Sequence, residues 1–331
     1  MSPTPAVFIE GSKIPLIWLE GNGMQRFIMI RLSYAVLVLF VVSIIVFILA
    51  RASGNPIDTM LPFDATMSQQ MAFEKLWGLD KSYPEQYFKF IVNAVQGDFG
   101  QSVKWSDSTA MGMVWQRFPN TLQLAGFAIV VSVLIAVPVG VLSSVNKDNP
   151  FDLIGKVFAL LGQATPPFWL GIMLIWIFAV ELDWFPTGGK AGFKSLVLPA
   201  ITLGWFQVAA LMRILRSAML EVQDTEYVTL ARVKGIAEWK VIWKHCLRNA
   251  AIPPLTLFGI LAAQIMTGAI VTESVFSWPG TGLLAVDAIR GRDYPVIQAV
   301  VVLFSVIYIM MNLAIDIIYA YLDPRIRYGD N

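Results

Sequence analysis

The sequence predicts an all-α membrane protein with six transmembrane helices. Of its 331 residues 56% are hydrophobic and 14% charged, where a soluble domain carries roughly 25% charged residues. Six stretches reach the about 20 apolar residues that a helix needs to cross the hydrocarbon core. Lysines and arginines gather at one set of span ends, as in a chain of fixed orientation. The net charge of +1 gives no footing for nucleic acid as a partner. A single cysteine, Cys246, leaves no internal disulfide, and with a single histidine, His245, it argues against a metal centre.

The first 23 residues lack the basic leader and sustained apolar run of a signal peptide and read as a cytoplasmic tail. The membrane domain then takes residues 24–331, with a first span from Ile28 to Ala50. Residues 51–118 form an outer segment too long to be a bare loop. There Met67, Met71 and Leu76 share one side of a helix stopped by Gly78. Phe88, Ile91 and Val95 form the stripe of a second helix, opened by Pro84 and closed by Gly97. These two helices lie on the outer membrane surface or on a partner. The second span covers Thr121 to Val145, the third Val157 to Val180, and the fourth Leu196 to Ala218. The fifth runs from Leu255 to Phe276 and the sixth from Val296 to Tyr321. Pro138, Pro166-Pro167 and Pro253-Pro254 each remove backbone hydrogen bonds and bend or break their helices.

Arg26, Arg31, Lys147, Arg213, Arg216, Arg325 and Arg327 all fall at span ends on one side. That side is the cytoplasm, and it holds both termini. The opposite side carries the loop 277–295, where Trp278-Pro279-Gly280 forces a turn before a short helix. With Glu273, Asp287, Arg292 and Asp293 this loop packs on a partner or forms part of an outer gate, since irregular backbone at this depth needs protein or water beside it.

The chain offers no HExxH, no GxSxG backed by a suitable histidine, and no cysteine cluster, so no catalytic residue is assigned. "GGKAGFKS" departs from a phosphate loop at Phe193, and "GTGLLA", from Gly280, lacks the strand before it that a dinucleotide fingerprint needs. Hence the chain is expected to bind no cofactor or metal and not to hydrolyse ATP itself. Gln123, Gln163, Thr165, Gln207, Gln264 and Thr267 either line a polar pathway or make ordinary helix–helix hydrogen bonds. Asp316, on one face with Asn312, is a structural partner of its neighbours or the proton site of an ion-coupled carrier. The lack of an internal repeat opposes the carrier.

The densest charge lies between the fourth and fifth spans, in "EYVTLARVKGIAEWKVIWKHCLRNAAIPPLT". Residues 221–234 and 237–250 read as two short cytoplasmic helices separated at Gly235. Ala231, Gly235 and Leu247 match the coupling motif of inner-membrane permeases in binding-protein-dependent ABC importers. Tyr227, Val228, Ala231, Arg232, Lys234 and Gly235, then His245, Leu247, Arg248, Asn249, Ala250 and Pro253, resemble the variant of the dipeptide, oligopeptide and nickel permease family. "RSAMLEV", "ESVFSWPGTG", "RDYPVIQ" and "DPRIR" are similar to family strings as well.

The resemblance implies a type I permease that pairs with a second homologous permease to form the pore. Two ATP-binding subunits would carry ATP and Mg, and an extracytoplasmic substrate-binding protein would deliver a peptide, a nickel complex or another small solute. It implies a bacterial or archaeal cytoplasmic membrane. It also implies that the segment around Tyr227, Ala231, Arg232, Lys234, Gly235, Trp239, Leu247, Arg248 and Asn249 docks on an ATPase.

Overall fold

The computed structural model describes residues 23–52, 66–105 and 107–322. The expected tail before Gly23, Arg325 and Arg327, and the side chains of Leu76, Thr267, Asp316 and Tyr319, lie outside the described residues. Twelve helical elements follow in order. They are α1 (Gly23–Ala52), α2 (Met67–Trp77), α3 (Tyr83–Val95), α4 (Ala110–Val145), α5 (Pro150–Ala164) and α6 (Pro167–Leu174, running on as the π-helical turns Ile175–Glu181). Then come α7 (Lys194–Gln223), α8 (Glu226–Val233), α9 (Glu238–Lys240, π-helical Val241–Cys246 and Leu247–Ala250), α10 (Ile252–Val275), α11 (Thr281–Arg290) and α12 (Tyr294–Leu322).

Among the described residues four helices are long and apolar enough to cross a membrane: Met29–Ala52, Ala110–Val145, Lys194–Gln223 and Tyr294–Ile315. The expected third span is not one straight helix. It breaks between α5 and α6 with a bend of 111°. Pro166 and Pro167 supply the cause, because neither offers an N–H to the carbonyls one turn back. Thr165, forced toward extended backbone by the following proline, sits at φ −82°, ψ 121°. Its N–H and its hydroxyl both turn back to the Leu161 carbonyl, at 2.9 and 2.6 Å.

Contacts along α7 nevertheless keep their order through this break. Asp152 meets Arg216, Gly162 lies against Ala209, and Gly171 lies against Thr202. The two halves therefore follow α7 from one end toward the other as a single bent span.

The centre of the fold is α7 packed against α4. In a membrane, close helix approach depends on small residues, and this contact is built from them. A Cβ at Gly204 would stand 3.0 Å from the Ala128 carbonyl oxygen and one at Gly140 3.1 Å from that of Met212. Ser132, between them, donates to the Ala128 carbonyl at 2.7 Å and to the Gly204 carbonyl at 3.2 Å. The helix α4 begins at Ala110, inside the expected outer segment, with the Thr109 hydroxyl accepting from the Gly112 N–H at 3.2 Å.

On the outer side α3 rests on α1, but not by the stripe read from the sequence. Phe88 and Val95 are 71% and 84% exposed. Tyr87 and Phe90 make the contact instead, with the Tyr87 hydroxyl 2.8 Å from Ser43 and its ring 5.4 Å from that of Phe47. The apolar stripe and the aromatic pair lie on different faces, and ring area with a polar tip suits the helix contact better.

Gly204→Val should overpack the α4–α7 contact by about 1–3 kcal/mol and lower the melting temperature of the purified protein. Gly126→Val is the control, because a Cβ there meets nothing within 4 Å, and it should melt like the parent.

Candidate functional site

The polar segment after α7 folds as a bent helical pair. It begins later than the sequence suggests: α7 runs to Gln223, and Thr225 opens α8 from an extended backbone. Residues 221–223 therefore belong to the long helix. The bend itself is a helix C-terminus closed by a left-handed glycine. Gly235 has φ +75°, its N–H donates to the Arg232 carbonyl at 2.9 Å, and the Ile236 N–H donates to the Ala231 carbonyl at 3.3 Å. This pair of bonds satisfies carbonyls that a helix end would leave open, and the left-handed turn is why glycine stands there.

Ala231 and Val228 bury one face of α8, and Val241, Ile242, Cys246 and Ala250 bury one face of α9. Both faces join Val141 of α4 and Leu215, Ala218 and Met219 of α7 in one apolar cluster, against which Leu247 is partly buried. Burial pushes the Cys246 thiol up from its ordinary pKa.

Two polar ties cross the pair. Arg232 Nη2 lies 2.9 Å from Glu238 Oε1 across the bend, and the carboxylate raises the guanidinium pKa. At the far end Asn249 Nδ2 donates to the Tyr227 hydroxyl at 2.7 Å and to the His245 carbonyl at 3.1 Å. Thus Arg232, Tyr227 and Asn249, expected as docking groups, tie the element together and are exposed as well.

The outward surface is carried by Lys234, Arg248, Trp239 at 65% exposure and Val233 at 78%, with Leu230 and Trp243 beside them. Leu230, Val233 and Trp243 were not singled out in the sequence. Their helical spacing, three between the first pair and four from Trp239 to Trp243, was the available signal.

The inner end of the spans is locked by a carboxylate that sequence reasoning passed over. Asp152, fully buried near the start of α5, accepts from Arg216 Nε and Nη2 at 2.6 and 2.7 Å. It also takes the Ser143 hydroxyl, the Asp148 N–H at 3.0 Å and Lys156 Nζ at 2.8 Å. Arg216, read only as a mark of topology, is thereby a two-pronged clamp between α7 and the α4–α5 turn.

At the outer end most of the expected gate residues are inside the protein. Glu273 is fully buried, accepting from the Thr121 hydroxyl at 2.7 Å and the Leu283 N–H at 3.0 Å. A Cβ at Gly280 would stand 2.2 Å from that carboxylate, so only glycine lets the turn close over it. Trp278 is buried, its indole N–H donating to the Asn120 carbonyl at 3.0 Å, and the Pro279 carbonyl accepts from Asn120 Nδ2 at 2.7 Å. Asp293 is buried too, taking the Ser102 hydroxyl and the Lys104 N–H. Arg292 is exposed and Asp287 half-buried, 4.0 Å from Arg117. Glu273, Trp278, Gly280 and Asp293 tie the loop to the spans. Their polar atoms close α11 and α12, and sequence alone could not show that.

The polar span residues divide. Gln207 is buried, its amide nitrogen turned to the Leu203 and Gly204 carbonyls of its own helix. Thr165 is spent on Leu161 at the break. Gln123 and Gln264 are exposed, and Gln163 Oε1 accepts from Arg213 Nη1 at 2.9 Å.

The family model described as binding-protein-dependent transport system inner membrane component matches residues 136–328, and that of its N-terminal part matches residues 24–125. The chain belongs to this family of inner-membrane components. It is 36% identical over 316 residues to the oligopeptide transport system permease protein AppB of Bacillus subtilis (strain 168), covering 92% of this chain and all of that one. It is 37% identical over 306 residues to the glutathione transport system permease protein GsiC of Escherichia coli (strain K12), with the same coverage of both. The dipeptide transport system permease protein DppB of Alkalihalophilus pseudofirmus is 34% identical over 334 residues, again 92% of this chain and all of that one. In fold this inner-membrane component resembles a chain of the inward-facing MetNI methionine ABC transporter. The TM-score is 0.53 at 19% identity, over 64% of this chain and 97% of that one.

Removing the buried clamp has a defined cost. Asp152→Asn leaves Arg216 without a counter-charge and should destabilise the permease by about 3–5 kcal/mol, seen as a lower melting temperature. Adding Arg216→Met should recover part of that loss, since the uncompensated charge is then gone. A double variant that melts below both single variants would contradict the clamp.

Proposed function

We propose that this permease forms half of the pore of an ATP-driven importer of peptides, together with a second, related permease. An extracytoplasmic binding protein delivers the peptide, and two cytoplasmic ATPase subunits hold ATP and Mg. The observation that carries the reading is the rigid α8–α9 pair. It presents an apolar, basic surface outward and is packed by its other face on the ends of α4 and α7. A subunit gripping that surface moves the spans with it. The peptide assignment is supported by relatives named for oligopeptide, dipeptide and glutathione transport across their whole length.

In this reading α10 also crosses the bilayer, bringing the spans to six and both termini to the cytoplasm. Its 24 residues extend about 36 Å at 1.5 Å per residue. It begins just after Ala250, in the cluster with Leu215, and ends near Glu273, bonded to Thr121 at the outer end of α4.

Gly235→Val tests the lever directly. A β-branched residue resists the positive φ of the bend, although open space surrounds it. In the reconstituted complex the variant should insert normally but lose at least about tenfold of peptide-stimulated ATP hydrolysis, the equivalent of ~1.4 kcal/mol of coupling. Uptake by the parent should continue with the proton gradient collapsed, provided ATP is present. Full stimulation in the variant, or uptake abolished by an uncoupler at constant ATP, would contradict the assignment.

A further inference from the structure

Arg213, which the sequence placed among the span-end cations, lies ten residues before the end of α7, on the same helix as Arg216, yet the two are held differently. Arg216 is neutralised by a buried carboxylate, whereas Arg213 is exposed and engaged by the neutral amide oxygen of Gln163. Among the described residues no carboxylate lies within ion-pair distance of Arg213. A cation left in this state within a span is costly, and residues of this kind face the bundle interior or a watery cavity.

Depth and direction come from the neighbouring contacts. Gly162 lies against Ala209, which is close to the middle of the thirty residues of α7. Gln163 is the next residue, so the Arg213 side chain reaches from its own turn toward the middle of the membrane. An arginine snorkelling to the cytoplasmic headgroups would reach the other way.

The adjoining backbone identifies the surroundings. The carbonyls of Gly162 and Gln163 lack the usual donor four residues on, because those positions are Pro166 and Pro167. Ala164, Pro166 and Pro167 are exposed, so this broken turn is not covered within the chain. Lipid does not accept broken helix at such depth, whereas protein or a water-filled cavity does.

Resting on the reading of this chain as half of a peptide pore, we propose that Arg213, positioned by Gln163 at the α5–α6 break, is a mid-membrane binding site for the carboxylate of the passing solute. The guanidinium is a planar fork that suits a carboxylate in two-point contact. Gln163 occupies one of its N–H groups and fixes its direction, which leaves the others for the solute. The site would hold the carboxylate end of a peptide after its release from the binding protein and before its exit to the cytoplasm.

The test uses the complete reconstituted importer with its binding protein. It compares one peptide as the free acid and as the C-terminal amide. The measured quantity is the acid-to-amide uptake ratio in each variant divided by that of the parent, which cancels selection by the binding protein. Arg213→Gln should lower the ratio roughly tenfold, the loss of one charge-assisted contact, and Arg213→Lys should lower it less. Gln163→Leu should lower it by a smaller factor through loss of positioning.

Arg213→Cys in the nucleotide-free complex should react with a charged, water-soluble thiol reagent, as a position facing water does. An unchanged ratio, an equal fall for acid and amide, or a cysteine that does not react would each overturn the site. Uptake of neither peptide by the parent under ATP would instead overturn the importer reading.

Discussion

In a bilayer there is no water to drive helices together, so a helix enclosed on most sides must let its neighbours come close. α7 meets that condition with Gly204 facing Ala128 and Ser132 of α4, and with Ala209 facing Gly162 of α5. Thr202 meets Gly171 of α6, and α10 adds Leu261 to the cluster of Val208, Leu211 and Met212. The contacts with α4, α5 and α6 each have a small residue or a slim hydroxyl on at least one side. Without this enclosure the bent α5–α6 span would have no rail to follow and the α8–α9 pair no fixed base.

The two ends of that enclosed helix bundle are secured by buried carboxylates rather than by apolar packing alone. Asp152 binds Arg216 and the α4–α5 turn at the inner end, and Glu273 receives the start of α11 at the outer end. Asp293 does the same for α12 while holding the outer segment through Ser102 and Lys104. All three sit where the chain reverses direction and backbone N–H groups lack helical partners. A charge satisfied by several donors specifies one geometry there, which suits a body that must rock as a unit. α8 and α9 share their apolar cluster with α4 and α7. Their own ties, Arg232 to Glu238 and Asn249 to Tyr227, keep the bend from opening.

Much of this was legible in the sequence, for identifiable reasons. Spans are long apolar runs, and Gly235 was recognisable because a helix end needing positive φ selects glycine. The proline pair announced a disturbance in the third span, although its size depends on how α7 guides the two halves. What escaped were pairings between residues far apart in the chain. Nothing near Asp152 signals that Arg216 will reach it, and Glu273 reads as a gate residue until Gly280 and Thr121 close around it. Periodicity also misled at α3, where Phe88 and Val95 satisfy the helical pattern but Tyr87 and Phe90 make the contact. A stripe shows that a helix has an apolar face, not which face another helix selects.

The shared cluster should make the α8–α9 pair and the adjoining ends of α4 and α7 move as one body. Spin-label distances in the assembled importer test this, with labels at Lys234 at the bend and at Lys147 after α4, both exposed. The distance within one chain should stay the same between the nucleotide-free and ATP-trapped states, while the Lys234 label shifts relative to the second permease. A change within the chain on ATP binding, with the spans left in place, would contradict it.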